Sequence, residues 1–191
     1  MATGDLVLLT GGNGHVGFRT LRESLERGYK VRAALRSNAK AEAVRTNTAL
    51  SHIDNLDSKL SFVTVPDFLV PGAFDEAVKD VKYIIHVASP ITVGTNAAST
   101  SDEDLDDIFI KPAVRGTLGV FESAQKAGGI KRIVVTSSAV TNVTLAALTG
   151  QGDLDVVVTS ESQGARLSPP YPMPIVAYVA SKLEALIQAQ E

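Results

Sequence analysis

The sequence predicts an α/β domain built on a doubly wound parallel sheet. Three observations predict it: short apolar runs alternate with amphipathic segments, the runs are rich in β-branched residues, and the first run ends in a glycine-rich loop. Strands that are apolar on both faces belong inside a parallel sheet that helices cover on each side. Alternation of strand and helix with short connections gives this fold its right-handed crossovers.

The predicted elements follow one another along most of the chain. Strands are expected at Asp5–Leu9, Lys30–Leu35, Leu60–Val65, Tyr83–Val87 and Ile133–Thr136. Helices are expected at Val16–Arg27, Ala39–Ala49, Gly72–Val78, about Asp104–Lys126 and Ile175–Gln190. The polar, proline-rich stretch Thr141–Pro174 predicts a long surface loop with one short element near Val156–Thr159. Loops of this length are usually functional or disordered.

Composition narrows the classes of function. The 191 residues carry a net charge of −3 and include no cysteine, so neither attraction to nucleic acid nor a disulfide framework is expected. The opening residues lack the basic stretch of a signal peptide, and no run reaches the roughly 20 apolar residues that span a bilayer. We expect a soluble, cytoplasmic protein that binds no nucleic acid, membrane or metal.

The segment TGGNGHVG, Thr10 to Gly17, follows the first strand and opens the first helix. In such a turn the first glycine permits the bend, the second lets the backbone approach a pyrophosphate, and the third lets helix and strand pack. Free N–H groups and the helix dipole then favour phosphate. A plain turn that needs positive φ would explain one glycine, whereas Gly11, Gly14 and Gly17 together predict dinucleotide binding.

The end of the second strand predicts which dinucleotide binds. An acidic residue about 20 positions past the glycine loop binds the ribose 2′-hydroxyl in NAD sites, but the segment here reads LRSNAK and carries no carboxylate. Arginine offers a rigid fork of donors that suits a phosphate. We therefore expect NADP(H), with Arg36 on the 2′-phosphate and Lys40 assisting. The alternative is a solvated pair of cations at a helix start.

The segment YVASK places Tyr178 and Lys182 four residues apart, on one face of the last predicted helix. A phenol has a pKa near 10, and a neighbouring ammonium lowers it, so the pair can act as a general acid–base. Thr136–Ala139 adds hydroxyl groups just after the fifth strand. Ligands of open α/β folds bind at that carboxyl edge of the sheet.

Five motifs then occur in an order that resembles a known family: TGGNGHVG, HVASP (His86–Pro90), KPAVRGTLGVFESA (Lys111–Ala124), VVTSSAV (Val134–Val140) and YVASK. The chain resembles the extended short-chain dehydrogenases/reductases of the NAD-dependent epimerase/dehydratase superfamily. Within them it is most similar to the dihydroflavonol-reductase-like branch, which includes fungal NADPH-dependent aldehyde and ketone reductases of the methylglyoxal-reductase type. The resemblance runs across nearly the whole chain.

The resemblance implies a Rossmann domain and a role for individual residues. Ser138, rather than Ser137, would hydrogen-bond the substrate carbonyl. Tyr178 would deliver the proton to the carbonyl oxygen, while Lys182 would lower the Tyr178 pKa and hold the nicotinamide ribose. The other residues implied in cofactor binding are Gly11, Asn13, Gly14, His15 and Val16 at the pyrophosphate turn, Asp67 and Phe68 beside the adenine, and Val87, Ala88 and Ser89 along the cofactor.

The sequence departs from the family in two places. Ala113 stands where many members have an asparagine, which puts a proton relay through that side chain in doubt. Members also continue for well over a hundred residues beyond YxxxK, so the C-terminal substrate lobe is expected to be largely absent and residues 1–191 to be one truncated domain. Such truncation would leave an apolar strand edge or helix face uncovered, so we expect self-association.

The expected function is therefore NADPH-dependent reduction of a small aldehyde or ketone to an alcohol. Two alternatives stay open. One is a nucleotide-sugar epimerase or dehydratase on the same fold, which would usually carry an acid in place of Arg36. The other is a fragment that binds NADP(H) without turnover, because little of the chain is left to enclose a substrate.

Overall fold

A computed structural model describes residues 4–89, 105–148, 150–152, 155 and 157–191. The chain forms two compact units. The first unit comprises Met1–Ser89 and Gly119–Thr136, and the second comprises Pro90–Leu118 and Ser137–Glu191.

The first unit contains a parallel sheet of five strands. They are β1 (Leu6–Thr10), β2 (Lys30–Leu35), β3 (Leu60–Thr64), β4 (Tyr83–His86) and β5 (Arg132–Val135). Their spatial order is β3-β2-β1-β4-β5, so β1 lies at the centre. Thr10 is in register with Ala34 of β2 and His86 of β4, which brings the carboxyl ends of these strands level. The order reverses direction after β3, and open sheets bind ligands at such a switch point.

Helices α1 (His15–Glu26), α2 (Asn38–Arg45) and α3 (Leu56–Lys59) connect the first three strands. A longer helix, α4 (Lys111–Ala127), leads into β5, and its residues from Gly119 onward belong to the first unit. Gly28 adopts φ +85° just after α1. Only glycine takes this conformation without strain, which explains why the helix ends there.

Apolar clusters fill both faces of the sheet. One contains Leu8 and Ile84 from the strands with Phe74, Val120 and Ala124. The other joins Leu9, Leu21, Leu25, Val31 and Leu35 on the α1 side. The strands at the centre are therefore buried from both sides, as their apolar sequences predict.

The second unit is helical. A π-helical turn (Asp106–Ile110) precedes α4, a 3₁₀ turn covers Ala139–Thr141, and helices α5 (Leu145–Leu148) and α6 (Pro174–Gln190) follow. Its main apolar cluster is formed by Leu105, Phe109, Tyr171, Val176, Ala177 and Ala180. This cluster anchors α6, whose buried face includes Ala177, Ala180 and Leu183.

The prediction of a parallel α/β fold is confirmed, and each strand lies within one residue of its expected bounds. Two helix predictions are wrong. The second helix ends at Arg45 rather than Ala49, because the backbone tightens into a 3₁₀ turn at Thr48–Leu50. Gly72–Val78 is a series of turns rather than a helix: Gly72 has φ +74°, and several i→i+3 bonds replace the helical pattern.

The long segment after β5 differs in detail from its prediction. The short element near Val156–Thr159 is not formed at the described positions 157–159, and Val156 lies outside the described residues. The short helix is instead α5 at Leu145–Leu148. The last helix begins at Pro174, whose fixed φ suits the first helical position and whose missing N–H is not needed there.

Strand β5 is the outer strand of the described sheet. Val134 within it is 51% exposed, and an apolar edge uncovered by truncation stays a prediction. Self-association through such an edge stays a prediction. Within the described ranges, no helix has the length and apolar character that crossing a membrane requires.

Candidate functional site

The turn between β1 and α1 is shaped by two glycines that no other residue could replace without movement. Gly11 has φ +73°, and a Cβ there would lie 2.8 Å from the Ala88 nitrogen. A Cβ on Gly17 would lie 2.0 Å from the Gly11 carbonyl oxygen. Gly11 therefore allows the turn to pass close to the segment after β4. Gly17 allows α1 to begin directly against the turn.

The N-terminus of α1 is free to receive an anion. Gly14 is its N-cap and offers no side-chain cap, and the first turn has no acidic residue. Asn13, Gly14, His15 and Val16 are all exposed, and Val16 is unusually so for an apolar residue. Free N–H groups at a helix start whose first turn carries no acidic residue fit a bound pyrophosphate.

Thr10 ties this turn to the segment after β4. Its Oγ1 accepts hydrogen bonds from the backbone N–H of Val87 and of Ala88, both at 3.1 Å. Two N–H donors occupy its acceptor positions, so the hydroxyl proton points to Nδ1 of His86, 2.9 Å away. His86 is buried, and this geometry assigns it an acceptor role at Nδ1.

The sequence analysis gave Thr10 no role of its own. It is the first letter of the glycine motif, but its partners lie 76 to 78 positions further along the chain. Only the register of β1 with β4 brings them together. No local pattern could have revealed the contact.

Arg36 and Lys40 lie at the start of α2, immediately beyond β2. Both are exposed. Ser37 is the N-cap of this helix and accepts a hydrogen bond from the Lys40 backbone N–H, and the first turn holds no acidic residue. Arg36 and Lys40 thus lie just before and just after the N-terminus of α2, which attracts negative charge.

Asp67 and Phe68 lie just past the end of β3, and Phe68 contacts Arg36. Asp67 Oδ1 accepts a hydrogen bond from the Leu69 N–H at 2.8 Å, which fixes the local turn. The Arg36 guanidinium lies over the Phe68 ring, 5.8 Å from its centroid. Arg36 and Phe68 are therefore in contact within the first unit, and the roles of Arg36, Asp67 and Phe68 in cofactor binding stay predictions.

Tyr178 and Lys182 share one face of α6 in the second unit. Lys182 Nζ lies 6.0 Å from the centroid of the Tyr178 ring, and both side chains are half-buried. Burial lowers the pKa of Lys182, because the protein interior disfavours its charged form. Within the described part of the chain, neither side chain forms a hydrogen bond or ion pair, which leaves both polar heads available.

Ser138 begins the 3₁₀ turn Ala139–Thr141 and accepts a hydrogen bond from the Val140 N–H through its side chain. A hydroxyl that accepts in this way still has its proton to donate. The turn packs against α6, the helix that carries Tyr178 and Lys182. Ser137 is exposed, and its hydroxyl is 3.5 Å from that of Thr141.

The loop that follows is fastened back to the same turn. Asn142 Nδ2 donates to the carbonyl oxygens of Thr159 and Ser162 at 3.1 and 2.8 Å. The Gly164 N–H donates to the Thr141 carbonyl at 2.7 Å. Sequence reasoning predicted a long loop here. It did not single out Asn142 or Gly164, because no known sequence pattern marks residues at their spacing.

A separate groove of about 730 Å³ lies in the first unit between α1 and strands β4 and β5. Apolar residues such as Val7, Tyr83, Ile85 and Val134 form part of its lining, together with four cations: Arg19, Arg27, Lys131 and Arg132. None of the predicted site residues contributes to it, so it is not the predicted cofactor site.

A doubly wound sheet with a glycine turn at its switch point defines the class of Rossmann-type domains. Residues 7–189 match the model of the NAD dependent epimerase/dehydratase family, and the chain belongs to that family. The suspected relationship is thus confirmed.

Similar proteins are reductases that are longer than this chain. A ketoreductase of Cercospora beticola is 38% identical over 187 residues, which is 97% of this chain and 51% of the relative. A dihydroflavonol 4-reductase of Solanum lycopersicum is 36% identical over 133 residues, or 70% of this chain and 32% of the relative.

Among solved structures, the yeast methylglyoxal/isovaleraldehyde reductase Gre2 complexed with NADPH has a TM-score of 0.80 and 28% identity, with 97% of this chain and 52% of that one covered. The chain spans about half the length of the first relatives that it matches.

Proposed function

We propose that this chain carries the cofactor-binding and catalytic part of an NADPH-dependent oxidoreductase that reduces an aldehyde or ketone to an alcohol. The observation that carries the proposal is the arrangement within the second unit. The turn that Ser138 begins packs against the helix that presents Tyr178 and Lys182 with available polar heads. A hydrogen-bond donor, an acid and a cation are the groups that carbonyl reduction needs.

The first unit supports the choice of cofactor. Its glycine turn fits a pyrophosphate, and Arg36 and Lys40 occupy the position at which a dinucleotide's 2′-substituent is read. A carboxylate there would repel a 2′-phosphate, and none is present at 35–40. The ketoreductase and aldehyde-reductase relatives agree with a reductase.

The proposed step places hydrogen on both ends of the carbonyl bond. When bound, reduced nicotinamide supplies a hydride to the carbonyl carbon. The Ser138 hydroxyl donates a hydrogen bond to the carbonyl oxygen, and Tyr178 transfers its phenolic proton to that oxygen. The Lys182 ammonium stabilises the phenolate that remains, which takes a proton from water to complete the cycle. The reverse direction oxidises the alcohol through the same groups.

Two measurements on the 191-residue chain test the proposal. Titration with NADPH and with NADH, followed by cofactor fluorescence, is expected to give much tighter binding of NADPH; the chain has no tryptophan to interfere. Incubation with NADPH and a panel of aliphatic aldehydes and aryl ketones is expected to yield one alcohol per NADPH consumed. Tight NADH binding with sugar-nucleotide conversion would favour the epimerase or dehydratase alternative instead.

Binding of NADP(H) without turnover is the second candidate. It is favoured by one fact: the relatives are about twice as long as this chain. NADPH binding with no alcohol formed from any carbonyl would support it. If fusing the second half of the Cercospora ketoreductase to this chain restores turnover, that result would support the reductase function instead.

A further inference from the structure

Arg36 is held by an aromatic ring rather than by an acid. β2 and β3 pair in parallel with Leu35 opposite Thr64, so the residues beyond both strands emerge side by side. The Arg36 guanidinium carbon lies 5.8 Å from the centroid of the Phe68 ring, within the range of a cation–π contact. Across the described ranges Arg36 has no ion pair and no hydrogen bond of its side chain.

The ring is itself anchored from two sides. Its centroid is 5.3 Å from that of Phe74, with the planes tilted by 37°, and Phe74 is completely buried. On the backbone side, Asp67 Oδ1 accepts the hydrogen bond from the Leu69 N–H and closes a turn around Phe68. Phe68 is therefore a fixed platform, whereas Arg36 is exposed and contacts that platform through its guanidinium group.

A ring positions a guanidinium differently from a carboxylate. An ion pair would use two of the five N–H donors of arginine and cancel its charge. Contact with a ring face restricts the side chain while the donors and the charge stay free for another partner. The absence of a carboxylate partner for Arg36 in the described residues makes this distinction relevant here.

We infer that Phe68 is a positioning residue for cofactor selection: it holds Arg36 in place to receive the 2′-phosphate of NADP(H). The inference rests on the proposed function and deepens it. It assigns part of the preference for NADPH over NADH to a side chain that needs no contact with the phosphate itself.

The test compares Phe68→Leu with Phe68→Tyr. Loss of a cation–π contact at an exposed site is expected to weaken NADPH binding by about two- to fivefold more than NADH binding; tyrosine keeps the ring and the preference. Combined with Arg36→Leu, Phe68→Leu should cause no further loss of NADPH affinity. Equal weakening of NADPH and NADH would overturn the inference, since it would mean that Phe68 serves the adenine or the local fold.

A second measurement needs neither cofactor nor turnover. In the wild-type chain, the side-chain protons of Arg36 should show an upfield ring-current shift in the NMR spectrum, and ¹⁵Nε relaxation should show greater motion of Arg36 in Phe68→Leu than in Phe68→Tyr. Unshifted protons, or equal motion in both variants, would overturn the inference alone. If the wild-type chain binds neither NADPH nor NADH, the proposed function fails and the role in selection fails with it.

Discussion

Lys182 lies one helical turn after Tyr178, with its Nζ 6.0 Å from the centre of the phenol ring. The helix imposes this relationship, because residues four apart share a face. The apolar cluster that contains Ala177 and Ala180, against which Tyr178 also packs, holds α6 in place. The two polar heads are thus presented together by a rigid element, which makes them suitable for separate tests.

Tyr178→Phe removes only the hydroxyl group. We expect turnover to fall at least a hundredfold, in line with the loss of a general acid, while NADPH affinity stays within about twofold of the wild type. Stopped assays of alcohol formation and fluorescence titration measure the two quantities. Tyr171→Phe is the control, since Tyr171 belongs to the same apolar cluster. Retained turnover in Tyr178→Phe would remove this residue from the proposed step.

Lys182→Met is expected to remove turnover without lowering stability, and its effect on stability should depend on pH. Burial lowers the pKa of Lys182 in the folded state, so its charged form costs stability below that pKa. Between the lowered pKa and the usual value near 10.5, the unfolded chain binds the extra proton and wild-type stability rises with pH. We expect Lys182→Met to lose turnover yet unfold at an equal or higher temperature at neutral pH.

Thermal melts of both proteins across the alkaline range check this expectation. The stability advantage of Lys182→Met should shrink as the pH rises through the lowered pKa. A variant that is less stable than the wild type at neutral pH, with a gap that closes as alkaline pH removes the charge of the lysine, would show that Lys182 stabilises the fold through its charge.

Arg36→Asp exchanges a phosphate-binding cation for an acid that can accept from a ribose hydroxyl. We expect NADPH affinity to fall by more than tenfold because a positive charge becomes a negative one, and NADH affinity to hold or rise. Fluorescence titrations with the two cofactors measure the ratio. Arg45→Asp is a matched control, because Arg45 ends the same helix but bonds to Asp57. An unchanged ratio in Arg36→Asp would place recognition of the phosphate elsewhere.

Gly17→Ala introduces a methyl group 2.0 Å from the Gly11 carbonyl oxygen. The clash is with backbone, so it should cost about 1–3 kcal/mol of unfolding free energy and displace the turn. NADPH binding is expected to be lost. Gly119→Ala is the control: the nearest atom to its added Cβ is 3.8 Å away, and alanine favours a helix interior. Equal stability of the two variants in urea melts would refute the steric account.

Thr10→Val and Thr10→Ser test the link between the glycine turn and β4. Valine has the shape of threonine but leaves the N–H groups of Val87 and Ala88 without their acceptor, whereas serine keeps the hydroxyl. We expect Thr10→Val to speed amide exchange at these two positions and weaken NADPH binding by about fivefold or more, at roughly 1 kcal/mol per lost bond. If Thr10→Ser behaves like Thr10→Val, the methyl group matters and the hydroxyl does not.

Strands were the most predictable part of this chain. Runs such as LVLLT and KVRAAL are mostly apolar and are followed by a glycine or a polar residue, so their bounds could be read from the sequence. The turns at Gly72–Val78 could not, because apolar spacing there resembles a helix. The left-handed backbone at Gly72 and at Asp80, with φ +62°, keeps a regular helix from forming.

In the candidate site, too, some residues could be predicted from a local pattern and others could not. Gly11, Gly17 and the Tyr178–Lys182 pair were found because each satisfies a local rule about turns or helix faces. The platform under Arg36 and the hydroxyl of Thr10 depend on strand pairing between distant segments. Such contacts are set by the topology of the sheet, which no single stretch of sequence contains.

The first unit is assembled from two separate lengths of chain, Met1–Ser89 and Gly119–Thr136. A gene cut after residue 89 would encode the glycine turn but would lose β5 together with Val120 and Ala124, which cover one face of the sheet. Dissection of this protein by simple truncation would therefore damage the half that it aims to isolate. A gene that joins the two lengths by a short linker in place of residues 90–118 is the format in which nucleotide binding could be studied apart from catalysis.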